Sequence, residues 1–394
     1  FGCVEGNDGR QIGAYGDFGR GVVGELGIGH RFSQRLRGEL LLARRSGFDF
    51  EGQANFVGVT GEQPVAGSQV IKLNTNENPY PPSPAVAQAL RSFDISSLRL
   101  YSDPFSKAFR KAAADVLDVP EDWILAGNGS DDLLAMIVLA CLAPGRKVVY
   151  PSPTYVLYRT LAQMQDCDIV EVPFDDDYNL PVGELISAGG AVTFVARPNS
   201  PSGTAWPLEQ IEQLARGTRG LLVVDEAYVD FAQDSAIDLV RERSNVVVLR
   251  TLSKGYSLAG LRLGFAVGNP DVLGMLNKVK DSYPVDSLAN CLGTAAMRDQ
   301  AYKNANAKKV CQSRQRLVES LTERGFAVYP SESNFVLARP GDGNAQGLYQ
   351  GLKDRGILVR YFKEPRLDDK LRITVGTPQQ NEALMNAIGE IVRR

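Results

Sequence analysis

Four short apolar segments, separated by helix-like sequence, constrain the fold of this 394-residue chain more than any other feature. They are KVVYP (147–151), AVTFVA (191–196), LLVVDEA (221–227) and VVVLRT (246–251). Strands that are apolar on both faces are typical of a parallel sheet covered by helices on each side. Ligands of such sheets bind beyond the carboxyl ends of the strands, so the residues after each segment are the first candidates for a functional site. The sequence therefore predicts an α/β fold.

A second, smaller α/β region is predicted at the C-terminus. After a helical stretch over 270–325, the short pieces FAVYP, NFVLARP, ILVRYF and LRITVG alternate with helix-like sequence. We expect an N-terminal segment at 68–100 that packs with this small domain, a large domain at 101–295 and the small domain at 296–394.

Residues 1–67 differ from the rest of the chain. Glycine recurs at short intervals from Gly13 to Gly29, and residues 37–59 alternate loosely between apolar and polar side chains. The alternation favours strands, whereas the glycines favour turns or irregular backbone. We expect an atypical glycine-rich extension, β-rich or disordered, with no catalytic part. The alternative is a β-rich module that binds a membrane or a partner.

The histidine count excludes several chemistries. The only histidine, His30, lies in the glycine-rich extension. Ser-His-Asp hydrolysis, Cys-His catalysis and metal sites built from histidine are therefore excluded. We expect no metal, and acid–base chemistry must come from lysine, tyrosine, aspartate, glutamate or cysteine.

Charge, cysteine usage and the lengths of apolar runs bear on partners and location. The 43 Lys and Arg against 46 Asp and Glu give a net charge of −3, which does not supply the basic surface of a nucleic-acid binder. The five cysteines are scattered, as in reduced cytosolic proteins. The longest uncharged apolar run, 133–143, is too short to span a bilayer. We expect a cytoplasmic protein with no nucleic-acid and no membrane partner.

The residues after the last apolar segment include a candidate nucleophile. In VVVLRTLSKGYSLAGLRLG, Ser253, Lys254 and Arg262 lie on a glycine-containing loop directly after a buried strand. A lysine shielded from water is less basic and becomes the nucleophile that a Schiff base requires. An arginine in an apolar context needs an anion as partner. A lone lysine is usually an ordinary surface residue, but these surroundings favour a site.

Two further segments place polar groups beyond predicted strands. LLVVDEAY ends a strand with Asp225 and continues to Tyr228, and a carboxylate there needs a cationic or hydrogen-bonding partner. In ILAGNGSDDLL a turn opens into a helix, so the free N–H groups of Gly129, Ser130 and Asp131 would form an anion site. Taken separately, each is also explained as a capping or core feature.

Taken in order, these motifs resemble a known family. GNGSDD, PSPTYVLY, RPNSPSG, DEAY and TLSKGYSLAGLRLG, with LNTNENPYPPSP, LRLYSDP and LRITVGT, are similar to motifs of the fold-type I pyridoxal-phosphate aminotransferases. The similarity is greatest to the histidinol-phosphate aminotransferase family and runs from about 70 to 392. It implies a large cofactor-binding domain with a mostly parallel seven-stranded sheet covered by helices.

The resemblance also implies roles for single residues around pyridoxal 5'-phosphate. Lys254 would form the Schiff base and shuttle the proton, Asp225 would keep the pyridine nitrogen protonated, and Tyr228 would hydrogen-bond the ring hydroxyl. Five residues match the phosphate-binding cup: Gly129, Ser130, Asp131, Ser253 and Arg262.

Further matches concern the ring face, the neighbouring subunit and the substrate. Tyr155 matches the aromatic residue on the ring, and Tyr101 matches a tyrosine that reaches the neighbouring active site in a homodimer. Arg372 matches the arginine that binds the substrate carboxylate, and Arg360 matches a second arginine for the phosphate or the distal acid.

The sequence departs from the family pattern at two points. The family commonly has asparagine immediately before Pro-x-Gly, whereas here Asn199 is followed by Ser200. We expect Asn199 to contact the cofactor ring, with Ser200 as the alternative. The tyrosine-bearing segment that usually precedes the N-E-N-P stretch is replaced by GEQPVAGSQ, so no substrate tyrosine is assigned.

The function implied is that of an aminotransferase of histidine biosynthesis, which exchanges an amino group between L-histidinol phosphate and 2-oxoglutarate. The alternatives within the same fold are an aromatic amino-acid aminotransferase and a decarboxylase of a phosphorylated amino acid. A non-catalytic binding protein built on an aminotransferase body is a more distant alternative, and the intact Lys254, Asp225 and Arg262 argue against it.

Overall fold

A computed structural model describes residues 4–5, 11–12 and 70–392 of the chain. The chain divides into two units. In the first unit, the described strands β1 (Val4–Glu5) and β2 (Gln11–Ile12) pair antiparallel. The expectation for the rest of 1–67 falls outside the described residues.

The second unit is built around a sheet of seven strands. The strands are β4 (Ile124–Gly127), β5 (Lys147–Ser152), β6 (Asp168–Pro173), β7 (Val192–Ala196), β8 (Leu221–Asp225), β9 (Val246–Thr251) and β10 (Gly264–Gly268). Their order in the sheet is β4–β10–β9–β8–β7–β5–β6. Strand β10 runs antiparallel to its two neighbours, and the other pairs are parallel. This confirms the mostly parallel seven-stranded sheet.

Helices cover both faces of this sheet because its strands are apolar on both sides. In β9, Val246 and Val248 lie in one apolar cluster, whereas Val247 and Leu249 lie in the other. The first cluster includes residues of α1 (Pro84–Arg91), α2 (Lys107–Leu117), α5 (Val182–Ala188), α6 (Leu208–Gly217), α7 (Leu239–Glu242) and α9 (Ser287–Arg298). The second includes residues of α3 (Ser130–Cys141), α4 (Leu157–Met164) and α8 (Pro270–Val279).

A small C-terminal α/β domain is also confirmed. Its four-stranded antiparallel sheet has the order β11–β12–β15–β14, and three helices share its apolar core. The elements are α10 (Gln300–Glu323), β11 (Ala327–Val328), β12 (Phe335–Arg339), α11 (Ala345–Lys353), β14 (Arg360–Tyr361), β15 (Leu371–Thr374) and α12 (Pro378–Val392).

The segment before the large domain contacts both domains. Strand β3 (Ile71–Lys72) pairs parallel with β13 (Ile357–Leu358) of the small domain. Leu73 is buried in the small-domain core, whereas Val86 of α1 is buried in the core of the large domain. The residue boundaries of the predicted domains stay predictions.

One glycine allows β10 to lie against the start of α3. A Cβ atom on Gly264 would lie 2.5 Å from the backbone nitrogen of Ser130 and 2.7 Å from the carbonyl carbon of Gly129. Real Cβ atoms do not approach so closely, so only glycine fits at this strand position. The close approach fixes the helix start relative to the sheet.

We expect Gly264→Ala to lower the free energy of unfolding by about 1–3 kcal/mol, because overpacking displaces backbone. Urea unfolding of the cofactor-free protein measures the effect. Gly260→Ala is the matched control, since a Cβ atom there meets nothing within 4 Å. Equal unfolding midpoints for the two variants would contradict the close approach.

Candidate active site

The segment that opens α3 forms an anion cradle. Helix α3 begins at Ser130, and the preceding Gly129 has φ +84° and no side-chain cap. The Nη2 atom of Arg262 lies 3.2 Å from Oδ2 of Asp131, and Nη1 lies 3.5 Å from Oγ of Ser253. A helix N-terminus with a guanidinium beside it favours an anion. The five residues predicted for the phosphate cup therefore lie together.

The end of β8 carries a buried carboxylate. Asp225 is 4% exposed, and its side chain accepts hydrogen bonds from Oη of Tyr158 (2.9 Å) and the backbone nitrogen of Ala227 (3.2 Å). Within the described residues it has no ion-pair partner. Burial raises the pKa of Asp225 from 3.8 to about 6, against the lowering effect of the hydrogen bond from Tyr158. This position suits a cationic ligand atom, which would restore the ionised form.

Tyr158 was not found by sequence reasoning. Its ring is fully buried, stacks on Phe194 at a centroid distance of 4.7 Å and meets the edge of Tyr155 at 5.7 Å. Burial raises the pKa of both tyrosines well above 10, so both are neutral donors at pH 7. Oη of Tyr155 donates to Oδ1 of Asp131 (3.0 Å). The three-residue spacing of the tyrosines in PTYVLY was the available signal.

Lys254 is covered by the segment that follows β3. Its Nζ atom donates to the carbonyl oxygen of Thr75 (3.2 Å) and lies 5.6 Å from the ring centroid of Tyr228. The Nδ2 atom of Asn78 donates to the carbonyl oxygen of Lys254 (3.0 Å). The predicted nucleophile therefore points toward Tyr228, and the segment that follows β3 is hydrogen-bonded to the loop of Lys254.

The same segment contacts two more predicted residues. Nδ2 of Asn76 donates to Oη of Tyr228 (2.9 Å), and the carbonyl oxygen of Asn74 accepts from Nη2 of Arg372 (2.9 Å). Sequence reasoning matched LNTNENP to a family but gave its asparagines no role. The concentration of three asparagines, Asn74, Asn76 and Asn78, within five residues was the missed signal, because amide groups at such density are available for hydrogen bonds to distant parts of the chain.

The two predicted substrate arginines lie opposite each other. Arg360 of β14 and Arg372 of β15 are register partners, and the guanidinium of Arg372 lies 5.3 Å from the Phe335 ring centroid. Burial lowers the pKa of Arg372 to about 10, and the nearby Arg360 also lowers it. Among residues 70–392, Arg372 has no carboxylate partner, and its Nε atom has no hydrogen bond. The site therefore favours an anionic ligand.

The structure separates the two candidates for the ring contact. Asn199 is fully buried, and its side chain bonds to Ser202 (2.9 Å), Thr154 (2.7 Å) and the carbonyl oxygen of Pro153 (3.3 Å). The Oγ atom of Ser200 instead accepts from Nη1 of Arg372 (3.1 Å). Ser200 therefore lies beside Arg372, whereas the Asn199 side chain is hydrogen-bonded to its own loop and to the segment that follows β5.

Tyr101 lies apart from these residues. It is 83% exposed, and its ring stacks on that of Tyr283 at a centroid distance of 4.4 Å. In the described part of the chain it has no hydrogen bond to the residues around Lys254.

Two kinds of feature are absent from the described residues. No helix among them is long and apolar enough to cross a membrane. No group of three or more His, Cys, Asp or Glu side chains among them is placed to hold a metal ion.

The chain is similar to known enzymes over the region that carries the site. The model of the family aminotransferase class I and II matches residues 68–388. Histidinol-phosphate aminotransferase 1 of Trichormus variabilis is 56% identical over 343 residues, which cover 87% of this chain and 97% of the relative. Histidinol-phosphate aminotransferase of Rippkaea orientalis is 43% identical over 333 residues, which cover 84% and 95%.

A solved structure agrees with these relatives. The crystal structure of histidinol-phosphate aminotransferase from Sinorhizobium meliloti, in complex with pyridoxal-5'-phosphate, has a TM-score of 0.80 and 26% sequence identity. The match covers 93% of this chain and 99% of that chain. The resemblance inferred from the motifs is confirmed, and the chain belongs to the class I and II aminotransferases and, within them, to the histidinol-phosphate aminotransferase family.

Proposed function

We propose that this enzyme uses pyridoxal phosphate to transfer an amino group between L-histidinol phosphate and 2-oxoglutarate. The observation that carries the proposal is the buried carboxylate of Asp225, which has no cationic partner in the described residues. Lys254 and the anion cradle lie at the same edge of the sheet as this carboxylate, so one ligand with a cationic atom and a phosphate could contact all three. The substrate follows the names of the relatives, which specify histidinol phosphate.

The residues present fit this cofactor by their chemistry. The phosphate would bind at the start of α3, where N–H groups, Ser253 and the charge of Arg262 converge. The ring nitrogen would face Asp225, and the ring hydroxyl would face Tyr228, with Asn199 or Ser200 as the further contact. Tyr155 would lie against the ring, and Lys254 would hold the cofactor covalently through Nζ. When bound, the cofactor supplies an electron sink to the substrate carbon.

Asp225 and Lys254 would handle the protons. A cation beside Asp225 offsets the desolvation that raises its pKa, so the carboxylate would stay ionised and hold a proton on the ligand atom. The Nζ atom of Lys254 would act as the acid–base group of the site, which takes a proton from the substrate carbon and later gives the proton back. The hydrogen bond from Nζ to the carbonyl oxygen of Thr75 keeps Nζ inside the site before the cofactor binds.

Arg372 would bind the carboxylate of glutamate or 2-oxoglutarate in two-point contact. Its side chain is partly buried, and its hydrogen-bond partners are the neutral oxygens of Ser200 and Asn74. Arg360 would bind the phosphate of histidinol phosphate or the distal acid of the second substrate. Two arginines on neighbouring strands would let one site accept both substrates in turn.

A homodimer, with Tyr101 reaching the partner's cofactor phosphate, is part of the proposal. Large apolar side chains are exposed together around this residue, which is typical of protein interfaces. They are Ile95, Leu98, Leu100, Tyr101, Phe105 and Tyr283. A cytoplasmic location stays a prediction.

A substrate panel tests the function. The full chain, loaded with pyridoxal phosphate, is mixed separately with histidinol phosphate, glutamate, tyrosine, phenylalanine and threonine phosphate. We expect conversion to the pyridoxamine form with histidinol phosphate and glutamate. Faster conversion by aromatic amino acids would support the aromatic aminotransferase, whereas release of CO₂ from threonine phosphate would support the decarboxylase.

Lys254→Ala should keep the fold and bind the cofactor without a covalent bond. We expect amino transfer to fall by roughly 100- to 10,000-fold or more, since a positioned acid–base group is lost together with the point of attachment. Lys278→Ala, at an exposed position, is the control. Borohydride reduction followed by peptide mass spectrometry should find the cofactor on Lys254, and its presence on another lysine would refute the assignment.

Asp225→Asn should have opposite effects on activity and stability. The fall in kcat should exceed any rise in KM, because the charge acts in the chemical step.

In the cofactor-free protein, burial of Asp225 favours its protonated form. This contribution to stability is present below pH 3.8 and is lost as the pH rises through about 6.

Asp225→Asn should therefore gain stability relative to wild type by up to roughly 3 kcal/mol between pH 4 and pH 8. Urea unfolding of the cofactor-free proteins at both pH values checks this. Asp176→Asn, whose carboxyl group is exposed, serves as control. A pH-independent difference between Asp225→Asn and wild type would contradict the assigned burial effect.

Arg372→Lys should discriminate between the two substrates. Loss of a two-point charged contact should lower kcat/KM for glutamate by roughly 10- to 100-fold. Histidinol phosphate has no α-carboxylate, so its kcat/KM should fall less. Arg339→Lys, at an exposed position of β12, is the control. Equal losses for both substrates would place Arg372 on the phosphate as well.

A further inference from the structure

Asn76 links Tyr228 to the small domain. It is almost fully buried, and its Nδ2 atom donates to Oη of Tyr228 at 2.9 Å. Its backbone nitrogen donates to Oγ1 of Thr374 (3.0 Å), and its carbonyl oxygen accepts from Nδ2 of Asn334 (2.9 Å). These three hydrogen bonds hold the side chain and the backbone of Asn76 in place.

The hydroxyl of Thr374 determines which end of the Asn76 amide faces Tyr228. Oγ1 of Thr374 accepts from the Asn76 backbone and donates its own proton to Oδ1 of Asn76 (3.1 Å). Rotating the amide by 180° would place Nδ2 there and deprive the Thr374 proton of this acceptor. The amide nitrogen is thus directed toward Tyr228, and the Tyr228 oxygen acts as an acceptor.

A phenol that accepts a hydrogen bond keeps its own proton for another acceptor and becomes a stronger donor, because bonds in a chain polarise one another. We propose that Asn76 is a positioning residue that directs the Tyr228 hydroxyl proton to the ring oxygen of the bound cofactor. This inference rests on the proposed function, because it requires pyridoxal phosphate beside Tyr228.

The groups that act electrostatically on this position come from several elements. Lys254 lies 5.6 Å from the Tyr228 ring centroid, and the charge of Arg372 also acts on Tyr228. Tyr155 and Tyr158 are the neighbouring phenols; a phenol is neutral at pH 7, and burial raises the pKa of both further above its ordinary value. Asn76 adds an uncharged donor to this set. The effect of removing the Asn76 amide must therefore be distinguished experimentally from the effect of introducing a charge at this position.

Two variants remove the amide donor or its support. Asn76→Asp has a similar size and tolerates the left-handed backbone of this residue (φ +57°), but it presents acceptors to Tyr228. Thr374→Val keeps the side-chain shape, removes the hydroxyl and adds no charge. Thr374→Ser restores the hydroxyl, and Glu77→Gln changes the charge of the exposed neighbour on the same segment.

The main measurement is the pH midpoint of the visible absorption change of the cofactor-loaded protein. A weaker hydrogen bond to the ring oxygen leaves more negative charge on the cofactor and raises its proton affinity. We expect an upward shift of roughly half a pH unit or more in Asn76→Asp, and a smaller upward shift in Thr374→Val. Thr374→Ser and Glu77→Gln should match wild type. Thr374→Val should add no shift in a Tyr228→Phe background.

Thermal unfolding of the cofactor-free variants gives the second readout. A lower melting temperature in Asn76→Asp and Thr374→Val, with an unchanged absorption midpoint, would overturn the proposal and leave a structural role. A shift in Asn76→Asp alone would assign the effect to added charge and also overturn it. Failure of the proposed function is recognised separately, because the wild-type protein would then bind no pyridoxal phosphate or transfer no amino group.

Discussion

The site depends on a buried carboxylate at the end of a central strand. Ionised Asp225 is costly in the ligand-free protein, since burial raises its pKa to about 6 and its strongest support is the neutral Tyr158. The sheet around it is apolar on both faces, which lowers the effective dielectric constant near Asp225. A single charge there therefore interacts more strongly than it would in water. A cationic ligand atom would turn this unfavourable group into a strong contact. Under the proposed function, stability is thus given up at the position where the chemistry needs a charge.

The sequence predicted the large sheet because its apolar strands left few alternatives. Segments such as 246–251 are apolar on both faces, and a parallel sheet covered by helices is the arrangement that buries both. The residues after β4, β8 and β9 could be located for the same reason, since the parallel strands end at one edge. The antiparallel β10 was not foreseen, because a short apolar strand carries no signal of its direction.

Contacts between distant parts of the chain escaped prediction. Asn76, Asn78 and Tyr158 act through hydrogen bonds to Tyr228, Lys254 and Asp225, and no local pattern reports such a partner. The different partners of Asn199 and Ser200 also escaped prediction, because both residues follow β7 and the sequence does not show where their side chains point. Which of the two contacts the cofactor ring stays a prediction. The role of each predicted residue in catalysis stays a prediction until the variants are measured.

The order in which the chain is synthesised sets when the site is complete. The segment that bonds Lys254 and Tyr228 is held through Asn76 by Thr374, which lies 298 residues later. All strands of the large sheet leave the ribosome before the small domain exists, so at that stage the segment lacks the hydrogen bonds between Asn76 and Thr374. The active-site contacts of the segment are therefore completed only when the last strand, β15, has been made. An elongating chain thus stays without its full active site until residue 374 has left the ribosome.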